Sequence, residues 1–472
     1  MFLNTIKGAL SVLFPVITFP YLSKVLGVNN IGLYNFANSI ISYFILLAGL
    51  GISTYAMREG ANYREKTCVI NRFSCEIFTI NIISTIFSYL LFFLFLWIFD
   101  VFYDYRLILL ILSLQIVFKT IGVEWVYSVY EDYRFITVVS VFFQILTVIL
   151  IFLFVNNEND VYKYAFITIF SVIVSNIIYF IYARKYCSIK ITKKINLKSH
   201  FKPILILFAT AVTITVYVNS DTTILGFLCG DYTVGIYSVS VKVCGIVKIF
   251  ISSILMVSIP RFSNFYWEKK YENFNNTATD VFSILLTFVV PLIFFIASFR
   301  KEIILIISDA SYLDAATSLY ILSFSLFFCM GAWFWGQCIL VPLKKEKSVF
   351  YITVASAFIN ITLNFLLIPF WNENAAALTT VISESLAFFC CWFYGRKFVR
   401  IKNIFQTLIK VLFGCSGIVF ISKISEKYCE NSMLLICFTM FFSGVLYLCI
   451  EILIKNESIW SFFTALKKHK QF

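Results

Sequence analysis

Apolar residues along this chain come in long, almost unbroken runs, not in the alternating or three-in-seven patterns of elements that face water on one side. The runs cover approximately residues 5–26, 32–56, 74–99, 106–129, 135–154, 162–183, 203–228, 233–259, 279–299, 314–341, 349–370, 375–395, 404–422 and 432–454. Each is long enough for a helix to cross a hydrocarbon layer of about 30 Å, which takes roughly 20 residues. The pattern predicts an all-α integral membrane protein of about 14 transmembrane helices. The first run follows Lys7 as a signal peptide would, but it holds Pro15 and Pro20, lacks a small-x-small cleavage site and leads into a second run, so it is read as the first span.

Composition agrees with that solvent. The chain is 60% hydrophobic and 13% charged, and its mean hydropathy of +0.89 is more than a water-facing surface can carry. The net charge of +13 does not indicate a nucleic-acid protein, because the basic residues are spread thinly between the apolar runs. With the amino terminus in the cytoplasm, 27 of the 38 Lys and Arg fall in cytoplasmic segments, 7 in external ones and 4 inside helices. The positive-inside rule selects that orientation, with both termini cytoplasmic. Most of the 13 cysteines sit in or beside apolar runs without metal-ligand spacing, and His200 and His469 lie in basic loops. No metal site and no cofactor are expected.

The basic stretch at the middle of the chain divides it. At an offset of 203 residues, Gly27, Gly32 and Tyr34 fall on Gly230, Gly235 and Tyr237, Ile31 and Leu33 fall on Val234 and Ile236, and Arg58 falls on Arg261. The expectation is two six-helix lobes related by a pseudo-twofold axis normal to the membrane, with a substrate site between them. The organisation becomes an N-terminal lobe over 1–184, a basic cytoplasmic linker over 185–202, a second lobe over 203–398, and two additional helices with a basic tail over 399–472.

Several segments together resemble the bacterial polysaccharide and O-antigen flippases. FPVITFPYLSKVLG from Phe14, then IGLYNFANSIISYF and GISTYAMRE, resemble that family's amino-terminal signature. Glu124-Trp125-Val126-Tyr127 with Tyr133 resembles the end of its fourth span, and DTTILGFLCGDYTVGIY from Asp221 with Lys242 its seventh and eighth. QCILVPLKKEK from Gln337, Asn360 with Asn364 and Pro369, and AAALTTVISE from Ala375 resemble its tenth to twelfth. Lys24 stands where the family more often has Arg, and Glu124 where a neutral residue or Asp is usual. The resemblance implies the fold of the multidrug, oligosaccharidyl-lipid and polysaccharide exporter superfamily and no covalent chemistry. It implies an undecaprenyl-diphosphate-linked oligosaccharide as substrate, moved to the outer leaflet by alternating access beside membrane lipid, and points to a polysaccharide polymerase and chain-length machinery as partners.

A charged side chain at mid-bilayer costs at least about 2.5–3.5 kcal/mol, so the charges retained inside spans are the candidate site residues. Lys242 and Lys248 in the eighth span and Lys119 in the fourth are candidates to attract a diphosphate; the alternative is an internal ion pair. Asp221, Glu384 and Glu124 are candidate ion-coupling carboxylates, or else permanent partners of a lysine. Asn35 with Asn38 either line the cavity or bond between helices, and interhelical bonding is also the reading for Asn360 with Asn364. Arg58 and Arg261, at the cytoplasmic ends of their helices, either snorkel to headgroups or form a cytoplasmic gate.

A polymerase or ligase would need a long external loop with clustered Arg, His or Asp, which the sequence lacks. A lipid-linked peptidoglycan precursor flippase and a multidrug antiporter remain as alternatives; the lysines argue against the antiporter. The topology has a direct check. In a cysteine-free background, a membrane-impermeant thiol reagent should label Glu158→Cys on intact cells and Lys194→Cys only after lysis; the reverse pattern would overturn the orientation.

Overall fold

The computed structural model describes residues 2–428 and 433–454, and every regular element among them is helical. His469 and the basic tail lie outside the described residues. The helices are α1 (Phe2–Gly49), α2 (Ile52–Tyr63), α3 (Thr67–Ile98), α4 (Arg106–Gly122), α5 (Trp125–Val129), α6 (Tyr133–Phe154), α7 (Val161–Ala183) and α8 (Leu197–Cys229). They continue as α9 (Asp231–Met256), α10 (Ile259–Trp267), α11 (Tyr271–Ser298), α12 (Arg300–Ile307), α13 (Ala315–Trp333), α14 (Glu346–Gly395), α15 (Ile404–Tyr428) and α16 (Met433–Leu453). A π-helical turn, Phe334–Leu340, extends α13.

Eleven helical stretches are long and apolar enough to cross a membrane, and two of them run for 50 residues. At 1.5 Å per residue, such a length is about 75 Å, more than twice a bilayer core. Each long stretch has a break where the sequence suggested a loop between two spans. In α1 the break is Gly27, at φ 71° and ψ 174°, a conformation that only glycine adopts readily. In α14 it is Asn372, at φ 48° and ψ −130°, three residues after Pro369. One residue of unusual conformation replaces the loop, and the helix resumes at once.

The surface is inverted relative to a protein in water. Trp97, Phe370 and Phe405 are each more than 70% exposed, whereas Ser88, Ser240, Asn364 and Thr379 are completely buried. Hydroxyls and amides on inward faces bond to neighbouring helices. On α3, Asn81, Ser84 and Ser88 share one face by their spacing; Asn81 and Ser84 donate to the Ala48 carbonyl at 2.8 and 2.6 Å, and Ser88 to that of Phe44 at 2.7 Å. Such bonds contribute about 0.6 kcal/mol each on average and set helix register.

The contacts divide the chain into two compact units, Met1–Gly235 and Ile236–Phe472. In the first, α1 packs against α3, α4, α6 and α8. Its closest approach lies at the start of α9, which follows Gly230 (φ 83°, ψ −177°), the counterpart of Gly27. A Cβ on Gly32 would lie 1.8 Å from the Asp231 carbonyl oxygen, and one on Gly235 would lie 2.2 Å from that of Val28. The 203-residue offset maps Val28 onto Asp231 as it maps Gly32 onto Gly235, so the contact is reciprocal. In the second unit α13 packs on α14, and α15 on α11 and α16, with the Tyr447 hydroxyl donating to the Thr287 carbonyl at 2.8 Å.

The segments after α7 and after α14 are also tied down alike. The Ser188 and Thr192 amides donate to Asn71 Oδ1 (2.7 Å) and Thr79 Oγ1 (3.0 Å) on α3. The Arg400 and Lys402 amides donate to Asn275 Oδ1 (3.0 Å) and Thr279 Oγ1 (3.2 Å) on α11. His200 corrects the expectation of a loop histidine: it sits buried in the opening turns of α8, because Glu76 and Tyr55 satisfy both ring nitrogens.

The glycine contact is testable by thermal unfolding of the purified protein. Gly32→Ala and Gly235→Ala, which push a methyl group into a backbone carbonyl, should each lower the midpoint by several degrees, a cost of about 1–3 kcal/mol. Gly245→Ala, with no atom within 4 Å of the added carbon, should leave it unchanged or raise it. Equal behaviour of the three variants would refute the close approach.

Candidate functional site

Polar side chains inside apolar helices are found in both units. In the first, Asp221 is buried in α8 and lies within electrostatic reach of Tyr43 on α1. Around it a hydroxyl network joins the two helices: Tyr43 Oη lies 3.0 Å from Thr223 Oγ1, which donates to Ser39 Oγ at 3.0 Å. Asn35 and Asn38 are half-buried on the same limb of α1, and the Asn38 carbonyl accepts from Ser42 at 2.8 Å. Ser39, Tyr43 and Thr223 were not among the sequence candidates. Their signal is modest: Ser39 and Tyr43 are four residues apart, one turn along a helix.

Lys119 and Glu124 lie at the α4–α5 junction, where Val123 takes a left-handed conformation (φ 39°). Both side chains are exposed and lie within electrostatic reach of one another. The arrangement places this pair at the surface of the first unit.

In the second unit, Lys248 Nζ of α9 lies 3.5 Å from Glu384 Oε1 of α14. The carboxyl is almost fully buried, and Cys329 of α13 is in electrostatic reach of both groups. Opposite charges meeting in an apolar setting greatly reduce the cost of keeping either there. The structure therefore gives Glu384 a lysine partner, and that lysine is Lys248. Lys242 is half-buried six residues earlier on the same helix, about 240° away around its axis at 3.6 residues per turn. Asn360, Asn364 and Thr379 are buried and connected across the Asn372 break: Asn364 donates to Asn360 Oδ1 at 3.2 Å, and Thr379 donates to Asn364 Oδ1. Asn364 thus bonds across the break, and Asn360 is joined to it along the same limb.

Arg58 and Arg261 do not end their spanning helices. Leu50 and Gly51 take positive φ (45° and 70°), ending α1 and starting a separate helix, so that Arg58 lies inside α2 and pairs with Glu59 at 3.1 Å. Arg261 lies likewise inside α10, which begins anew with Pro260 in its first turn. Both are exposed on short helices that follow the span. Among the described residues, no group of three or more His, Cys, Asp or Glu is placed to hold a metal ion.

Comparison with known proteins assigns the family. The family described as Polysaccharide biosynthesis protein matches residues 1–266, and the MatE family matches residues 206–366. The capsular polysaccharide biosynthesis protein CapF of Staphylococcus aureus is 28% identical over 222 residues, covering 46% of this chain and 55% of CapF. An uncharacterized membrane protein of Methanocaldococcus jannaschii is 29% identical over 245 residues, covering 49% of this chain and 46% of that protein. The chain thus spans about half the length of the curated relatives it matches. Among solved structures, the lipid II flippase MurJ in an inward closed conformation has a TM-score of 0.78 at 16% identity, covering 97% of this chain and 100% of MurJ. An inward-facing multidrug resistance MATE transporter has a TM-score of 0.58 at 11% identity, covering 82% and 97%. The fold is that of MurJ and the MATE transporter, and the chain belongs to the family described as Polysaccharide biosynthesis protein.

Proposed function

We propose that this protein moves an undecaprenyl-diphosphate-linked oligosaccharide from the cytoplasmic to the outer leaflet by alternating access, for the assembly of a capsule, O-antigen or other surface polysaccharide. The observation that carries the reading is the family match over residues 1–266, more than half of the chain. The name of CapF links one relative to capsule synthesis, and that of MurJ links this fold to a lipid-linked glycan. The MurJ likeness also favours a second reading, a peptidoglycan precursor flippase, because its coverage and TM-score exceed those of the MATE transporter. Both substrates present a diphosphate on a polyprenyl chain, so both make the same demand for cations.

In this proposal the chain crosses a plasma membrane fourteen times with both termini cytoplasmic. Two crossings fall in each 50-residue stretch, and one in the shorter apolar helix Phe438–Leu453. Residues 1–184 and 203–398 form the two six-helix lobes, with 399–472 appended. Lys242 attracts the diphosphate, and Lys248, Lys119, Asn35 and Asn38 are the further candidate substrate-binding residues. Asp221 and Glu384 couple transport to an ion gradient, and Lys248 pairs with Glu384 until the ion or substrate displaces it. Glu124 is a third ion-coupling carboxylate, and Arg58 and Arg261 form a gate at the cytoplasmic rim. A polysaccharide polymerase and chain-length machinery would act on the delivered product.

The test replaces Lys242. A cation in a hydrated cavity offsets the headgroup's negative charge, so charge matters more than shape. Lys242→Arg should retain part of the transport, whereas Lys242→Ala and Lys242→Glu should lower surface glycan at least tenfold at unchanged protein abundance and accumulate the lipid-linked intermediate inside. Normal surface glycan with a well-expressed Lys242→Glu variant would remove Lys242 from the mechanism.

A further inference from the structure

The segment after α7 does more than connect. Ser188 and Thr192 bond α3 residues eight apart, Asn71 and Thr79. Eight helical residues rise about 12 Å, and four extended residues span about 13 Å, so the chain runs as a strap along one face of α3. Cys187 and Ile189 turn into the core of the unit, while Lys190, Ile191, Lys193 and Lys194 remain exposed. Burial pushes the Cys187 thiol up to about 11, in keeping with a strap whose inner face is closed to water.

Between strap and helix lies a cavity of about 520 Å³, lined by Asn71, Arg72, Cys75, Glu76 and the strap residues Ser188, Ile191, Thr192 and Lys194. Arg72 is held in place there. Its Nε–H donates to Glu76 Oε1 at 2.7 Å, yet the side chain is 72% exposed. Glu76 is buried, and its Oε2 accepts from His200 Nε2 at 2.8 Å and the Asn196 amide at 3.4 Å. A carboxylate has no proton to give, so Nε2 carries a hydrogen, and Nδ1 lies 2.8 Å from the Tyr55 hydroxyl. The chain Tyr55–His200–Glu76 thus orients a guanidinium that has used one of its five donors. The charges of Arg72 and Glu76 balance, and the Lys194 ammonium is left as surplus positive charge in the cleft.

We propose that this cleft binds a phosphate group carried on a lipid, with Arg72 and Lys194 pairing with its oxygens and Ser188 and Thr192 supplying hydroxyls. The setting favours a lipid over a soluble anion: α3 is a membrane-crossing helix, and Ile191, 69% exposed, lines the cleft beside the basic groups as apolar contacts do at a bilayer surface. The phosphate has two possible sources, an anionic phospholipid and a polyprenyl diphosphate. The site is independent of what the protein transports, because it rests on the first unit's cleft alone.

The experiment is native mass spectrometry of the full chain titrated separately with phosphatidylglycerol, a polyprenyl diphosphate, phosphatidylcholine and inorganic phosphate. Arg72→Gln with Lys194→Gln should weaken binding of at least one of the first two by about tenfold or more, as expected for charge-assisted phosphate contacts, with phosphatidylcholine unaffected. Loss confined to phosphatidylglycerol identifies a structural lipid site, and loss confined to the diphosphate a docking site for a substrate headgroup. Should Arg72→Gln fail to fold, Lys194→Gln and Lys194→Glu, changed at an exposed position, should weaken the same lipid in that order. His200→Phe tests positioning: with Arg72 and Lys194 intact, it should still weaken the affected lipid. Unchanged binding of both phosphate lipids by the folded variants overturns the site, and so does inorganic phosphate binding as tightly as either lipid.

Discussion

Hydrocarbon cannot hydrogen-bond, and the rest of this structure depends on that constraint. Every regular element among the described residues is a helix, which satisfies its backbone groups internally. Since lipid tails are as apolar as the helices' outer faces, burying Phe or Leu gives little drive for association, and small residues and short polar bonds set the packing. The α1–α3 face, joined by Asn81, Ser84 and Ser88, shows the polar means. The Gly32–Asp231 and Gly235–Val28 contacts show the steric one, where even a methyl group has no room.

The same constraint makes each retained charge informative. Lys248 and Glu384 reduce one another's cost by pairing across α9 and α14, and Arg72, Glu76 and His200 do so at the strap of the first unit. A pair with no purpose beyond packing is readily replaced by apolar residues of similar volume.

Much of this was legible in the sequence. Run length gave the class of protein, and the match of Gly27, Gly32 and Tyr34 with Gly230, Gly235 and Tyr237 anticipated two helix breaks of the same backbone conformation. Hydropathy missed three kinds of feature. It placed a loop where one residue, Gly27 or Asn372, turns the helix, because a break of one residue barely changes a windowed average. It put Arg58 and Arg261 at the ends of spanning helices, whereas each lies in a separate short helix started by a local backbone turn. It also put His200 in a basic loop, since charge density around residue 200 says nothing of Glu76, more than a hundred positions away, although Arg72 and Glu76 at i and i+4 in an apolar helix were a visible signal. That Glu384 pairs with Lys248 could not be read from one chain either, because it depends on how α9 and α14 rotate against each other.

The direct measurement is lipid flipping in proteoliposomes that contain the purified full chain and an undecaprenyl-diphosphate-linked oligosaccharide, with headgroup exposure followed by an impermeant glycan-modifying reagent. The headgroup should appear in the outer leaflet at a rate that rises with protein density and with an imposed ion gradient, and the gradient dependence should vanish when Asp221→Asn and Glu384→Gln are combined. Exposure no faster than in protein-free vesicles, at any gradient, is incompatible with a lipid-linked glycan flippase.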